Sequence, residues 1–171
     1  MLPKTGGHFG NSEMAYLHMP EYSRVVLASH GTPGGQAAER EALALCARGA
    51  NLWQLVVVPD FWKGMMGDDW LNNASTRETY GRHVEHQIEA EIAVQLTRVR
   101  AQALELGLRH QCRTVLGKPA ECLIAYTREL APELVVIGAR RPKGAPGLRS
   151  RMQLDTLVKA LAAPLLIVPH P

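Results

Sequence analysis

Arg140, Arg141, Lys143, Arg149 and Arg151 place five cations among twelve residues that include no acid, and the run follows Gly138. Guanidinium groups at this density could clamp a phosphate or another small anion through paired, charge-assisted hydrogen bonds. The competing reading is a solvated surface loop, and the composition alone leaves both standing. A second stretch able to do chemistry, Ser29-His30-Gly31-Thr32-Pro33-Gly34-Gly35, lies much earlier in the chain. Its glycines let backbone N–H groups turn toward a ligand. No acid stands beside His30 to orient its ring and no oxyanion arrangement is visible, so a ring lining a pocket is expected rather than a catalytic base. His83 and His86 near Glu85 and Glu89 supply only two imidazoles at helical spacing, which reads as a solvated helix end rather than a metal site. Asp60 is the carboxylate that a nucleotidyl-transfer or phosphate-hydrolysing enzyme would need for a metal. A protein without catalytic activity is the expectation.

The elements that must position these residues follow from hydrophobic periodicity. Val25-Val26-Leu27-Ala28, residues 52–58, Leu134-Val135-Val136-Ile137 and residues 165–168 are short apolar runs with glycine or proline near their ends, the pattern of strands buried on both faces, and residues 111–116 read as a further strand. Between them fall helical stretches over residues 36–48, 120–130 and around Leu154, Leu157, Val158 and Leu161. Val84, Ile88, Ile92, Leu96, Val99, Ala103 and Leu106 recur at steps of three and four and predict a long amphipathic helix ending near Gly107. Strands alternating with helices and lacking hairpin signals predict an α/β three-layer sandwich. Its five-stranded parallel sheet takes the order 3-2-1-4-5, which is Rossmann-like and specifically flavodoxin-like. In that order the two glycine-bearing stretches leave neighbouring strands and converge at the switch point, where such sheets bind ligands.

At 171 residues, 46% of them hydrophobic, the chain suits one domain with a substantial core. Residues 1–23 lack apolar periodicity and read as a tail, with the domain at 24–171. A net charge of +3 spread along the chain gives no case for nucleic acid. Cys46, Cys112 and Cys122 are odd in number and widely spaced, so buried, reduced thiols are expected. The absence of an apolar run of about 18 residues argues against a membrane span. The N-terminus lacks signal-peptide order, and a cytoplasmic protein is expected. Phe61, Trp62, Met65, Met66 and Trp70, within an irregular stretch at 60–81, could form a lid, contact a second subunit or cover their own strand ends.

Four segments in order carry a family likeness: Val25-Val26-Leu27-Ala28 with its glycine-bearing turn, Gly117-Lys118-Pro119-Ala120, Glu133-Leu134-Val135-Val136-Ile137-Gly138, and Pro164-Leu165-Leu166-Ile167-Val168. Through them residues 24–169 resemble the universal stress protein family. The resemblance implies a small cytoplasmic α/β protein of stress responses that dimerises, often through its last strand, without a defined catalytic reaction. Some members bind ATP through a last loop running glycine, two residues, glycine, nine residues, glycine, then serine or threonine. Here those positions hold Gly138, Arg141, Arg151 and Met152, and His30 stands where such members carry an aspartate. A side chain at a phosphate-cradling position costs on the order of 1 kcal/mol and fills the space. ATP is therefore expected to bind poorly or not at all, with a different anionic or nucleotide ligand admitted. The alternative is an ATP or AMP sensor that uses arginine contacts in place of the glycine loop. By loop position and resemblance, the site residues are Ala28, His30, Gly31, Thr32, Gly34, Val58, Gly138, Arg140, Arg141 and Arg151.

Overall fold

A computed structural model describes residues 21–29, 31–58, 90, 92–141 and 152–171. In chain order these form β1 (Tyr22–Ala28), α1 (Pro33–Leu45), β2 (Cys46–Val58), α2 (residues 92–105), β3 (Arg109–Leu116), α3 (Pro119–Leu130), β4 (Leu134–Gly138), α4 (Leu154–Ala160) and β5 (Leu165–Val168). The strands pair in parallel in the order β3-β2-β1-β4-β5, as the alternation of strands and helices predicts. Val25 pairs with Leu134 and Ala28 with Ile137, so β1 and β4 end on adjacent rungs and their following loops start side by side. His30, the aromatic and methionine-rich stretch at 60–81, residues 83–89, where the long helix is expected to begin, and Lys143, Arg149 and Arg151 lie outside the described residues.

The period of two along the strands sorts the core into two layers. Val25, Leu27, Leu52, Leu134 and Val136 pack with Ala38, Ala42, Val99 and Ala103 beneath α1 and α2. Val26, Ala28, Leu55, Val57, Val135 and Ile137 pack with Leu123, Ile124 and Leu157 beneath α3 and α4. The far end of α2 closes as expected at Gly107. There φ is +71°, Leu108 N–H donates to the Ala103 carbonyl at 2.8 Å and Gly107 N–H to the Leu104 carbonyl at 3.0 Å, a paired termination that needs a left-handed residue.

Several boundaries differ from the sequence pattern, each for a local reason. Helix α1 begins at Pro33 rather than residue 36. Thr32 takes an extended N-cap conformation, its hydroxyl accepts from Gly35 N–H at 3.2 Å, and Pro33 supplies a preset φ at the first helical position. Thr32→Ala is expected to cost about 1 kcal/mol in urea unfolding, because the cap acceptor is lost; an unchanged midpoint would show the cap is idle. The helix ends at Leu45 and β2 starts at Cys46, earlier than residue 52. Two residues of β1, Tyr22 and Arg24, face Cys46 and Asn51 across a register shift, and Gly49 at φ +78° absorbs the surplus chain.

The thiols do not match the expectation of burial. Cys112 is exposed and Cys46 and Cys122 are only partly buried. Strand β3 is a sheet edge with mostly exposed side chains, so being in a strand there does not bury a residue. Burial still pushes the Cys46 thiol up to about 11, keeping it protonated at neutral pH. On the same edge, Arg113 makes two parallel bonds to Glu129, at 2.7 and 2.8 Å, while its guanidinium lies 4.6 Å from the Tyr126 ring centre. This pair ties β3 to α3.

Gln54, fully buried in β2, meets the His110 ring at 3.0 Å through Oε1, and its Nε2 has no partner among the described residues. Burial, then the nearby Arg100 charge, lowers the His110 pKa below the ordinary 6.5. The fold therefore favours the neutral ring, and the unfolded chain binds the proton first as pH falls. This contribution is complete above about 6.5 and is lost as pH drops toward the folded-state value. Melting temperature should fall over that window, less steeply in His110→Gln. Parallel pH profiles for the two proteins would refute the assignment.

Candidate functional site

The cleft at the switch point is built from the ends of β1 and β4 and the start of α1. Beyond Ala28 the chain stays on the sheet for one more residue, Ser29 N–H donating to the Leu55 carbonyl at 3.2 Å. Gly31 then turns with φ +76°, and its carbonyl accepts from Gln36 Nε2 at 3.1 Å. That turn delivers Thr32 to its capping position. The positive end of the α1 dipole therefore opens toward the cleft.

On the other side, Ala139 N–H donates to the Val168 carbonyl at 2.7 Å, which holds the chain just beyond β4 against β5. Gly138 lets α1 approach the strand backbone directly. A Cβ there would meet the Gly34 carbonyl oxygen and stand 2.6 Å from the Gly34 carbonyl carbon and 3.0 Å from Gly35 N. Reciprocally, a Cβ on Gly34 would lie 3.3 Å from the Ala139 carbonyl oxygen. These glycines provide close helix-on-strand packing, so their presence does not by itself signal a phosphate cradle.

Ala28, Thr32, Gly35, Ile137, Gly138, Ala139 and Met152 line the cleft. Three of the residues expected from the sequence, Ala28, Thr32 and Gly138, are among them. Gly31 and Gly34 belong to the turn and helix start that frame it. Arg140 is exposed and donates from Nη2 to the Met152 carbonyl at 3.2 Å, bridging the two sides of the loop; Arg141 is partly buried. Val58 is placed differently: its carbonyl accepts from Gly117 N–H at 2.9 Å, at the turn after β3. His30 and Arg151 lie outside the described residues. Among the described residues, no group of three His, Cys, Asp or Glu could hold a metal ion.

Met152 is 6% exposed, packs with the core beneath α3 and α4, and gives the cleft an apolar wall. Its position in the loop spacing marked it as a missing hydroxyl, but nothing local announced that the side chain would turn inward. A second group was also missed, a buried polar cluster of Ser29, Glu39 and Gln95 joined by Arg98. Its signal was present in part: Glu39 and Gln95 interrupt the apolar stripes of their helices.

The model of the universal stress protein family matches residues 21–169. Similar solved structures include a protein of that family from Burkholderia pseudomallei, 23% identical, with a TM-score of 0.59 and covering 86% of this chain and 96% of the other. An Arabidopsis thaliana protein of the family with AMP bound is 13% identical, with a TM-score of 0.58 over 87% of this chain and 92% of that one. A universal stress protein in complex with cAMP is 18% identical, with a TM-score of 0.54 over 88% and 99%. At these identities the likeness is one of fold. No curated protein sequence matches the chain.

Proposed function

This chain belongs to the universal stress protein family, and from that premise we propose that it is a stress-response regulator without catalytic activity, whose switch-point cleft binds ATP poorly or not at all. The observation that carries the reading is Met152. ATP-binding members place a hydroxyl at the corresponding position, whereas this side chain is apolar, buried and part of the cleft wall. An apolar wall leaves phosphate oxygens without the donor they exchange for water, and that desolvation opposes binding. Arg141 in place of the second glycine of the motif acts in the same direction by filling space that a close backbone approach would need.

The AMP and cAMP complexes among the structural neighbours favour a second reading, a mononucleotide sensor whose smaller anionic group meets arginine side chains on the rim of the cleft. Calorimetric titration of the full chain with ATP and with AMP separates the two. The first predicts no saturable heat with millimolar ATP. Micromolar AMP binding, or adenine absorbance retained through purification, would select the second, and tight ATP binding would overturn the first. The assembly proposed is a homodimer formed by pairing of β5 with its copy. That edge strand is four residues long and bounded by Pro164 and Pro169. The compartment proposed is the cytoplasm; among the described residues no helix is long and apolar enough to cross a membrane.

A further inference from the structure

Three elements meet at one buried carboxylate. Glu39 of α1 is 2% exposed, and Ser29 just beyond β1 and Gln95 of α2 are 1% and 4% exposed. Glu39 Oε1 accepts from Ser29 Oγ at 2.5 Å and from Gln95 Nε2 at 2.7 Å, and the same amide nitrogen lies 2.7 Å from Ser29 Oγ. Glu39 Oε2 accepts from Arg98 Nη2, whose side chain is 41% exposed. Gln95 also abuts the turn that frames the cleft, its Oε1 lying 3.1 Å from where a Cβ would stand on Gly31.

A carboxylate this deep is expensive to desolvate, and well-packed apolar residues would commonly stabilise the site as much or more. What the ionised group adds is direction: charge-assisted bonds fix the relative placement of the groups they join far more narrowly than apolar contact does. The groups joined here are the end of β1, the helix that opens on the cleft and the helix above it. We propose that Glu39 is the positioning residue of the cleft, fastening Ser29 at the end of β1 and the body of α1 to α2, whose Gln95 abuts Gly31, so that they move as one unit. A ligand that displaces Gly31 or Thr32 therefore also displaces α2.

The proposal is independent of which ligand the cleft takes, and hydrogen–deuterium exchange on the full chain tests it. In Glu39→Gln and in Gln95→Leu, amide exchange in the first turn of α1 and along residues 92–105 should rise together by about tenfold or more. Exchange in β5 and α3 should stay as in the unaltered protein. Should Glu39→Gln fail to fold, Arg98→Ala, which removes only the half-exposed partner, is read in the same way. Glu39→Leu takes away the acceptor that Ser29, Gln95 and Arg98 share, so both segments should loosen and the melting temperature should fall as well. The proposal is overturned if exchange is unaltered in the folded variants or rises equally in every element. Wild-type protection in Glu39→Leu would overturn it too.

Discussion

Gly138→Ala should lower the melting temperature by roughly 6–12 °C. The added methyl would sit 2.6 Å from the Gly34 carbonyl carbon and also meet the carbonyl oxygen. Both are backbone atoms held in the first turn of a helix, so no flexible side chain can swing away. Overpacking of this kind costs about 3 kcal/mol when the backbone has to shift, and a chain of this length loses roughly 2–4 °C per kcal/mol. Relief requires α1 to lift from β4, which would also disturb the buried Ala37, Ala38 and Ala42. Gly34→Ala provides the internal scale. Its methyl would lie 3.3 Å from the Ala139 carbonyl oxygen, a contact that a small shift relaxes, so its effect should be well under half as large. Thermal melts followed by circular dichroism read both, and equal effects would mean that α1 is not seated against Gly138 as described.

Restoring the loop chemistry should have the largest effect on ligand binding. The triple variant Arg141→Gly, Arg151→Gly, Met152→Ser returns two positions at which backbone can approach a phosphate and one hydroxyl donor. It should tighten ATP binding by at least about a hundredfold, some 2.7 kcal/mol. The exchange has a cost: Met152 is buried in the layer beneath α3 and α4, and losing it for a hydroxyl should destabilise the free protein by about 2–3 kcal/mol. Saturating ATP should then recover part of the lost melting temperature, since a ligand selective for the native state stabilises it. Met152→Ser alone should show the destabilisation without the ATP response. A folded triple variant that still ignores ATP in calorimetry would refute the role given to these three positions.

The strand order was legible because four of the five strands announce themselves as apolar runs and the intervening helices dictate crossover connections. Once β1 and β4 were neighbours, the loops after them had to start side by side, which is why Ala28, Thr32 and Gly138 fall at one cleft. What local sequence could not carry were decisions made by distant contacts. Gly34 and Gly35 are poor helix formers; the Thr32 cap and Pro33 start α1 ahead of them, but that they also let the helix lie against Gly138 is a contact across the sheet that no local pattern announces. Cys112 sits in a strand yet is exposed, because whether a strand is central or at an edge depends on every other strand. Val58 ends β2 as expected, but its carbonyl serves the turn after β3. The Glu39 cluster draws on three separated segments, and each residue read singly is only a polar interruption in an apolar stripe.

The uneven character of the two outer strands bears on colloidal behaviour. An open sheet offers its last backbone donors and acceptors to any passing chain, and unchecked growth from such a rim leads to insoluble assemblies. Along β3 that invitation is countered by Arg109 and Arg113, both exposed, the latter locked in place by Glu129 and Tyr126. A stranger docking there would have to strip water from fixed cations. The opposite rim, β5, offers just four residues, Leu165–Val168, closed at its ends by Pro164 and Pro169, which suits pairing with its own short copy in the proposed dimer and gives a longer stray strand little to extend along. The molecule is thus guarded by charge on one flank, and on the other by a ledge that its own copy would close off, so sheet growth should stop at a pair.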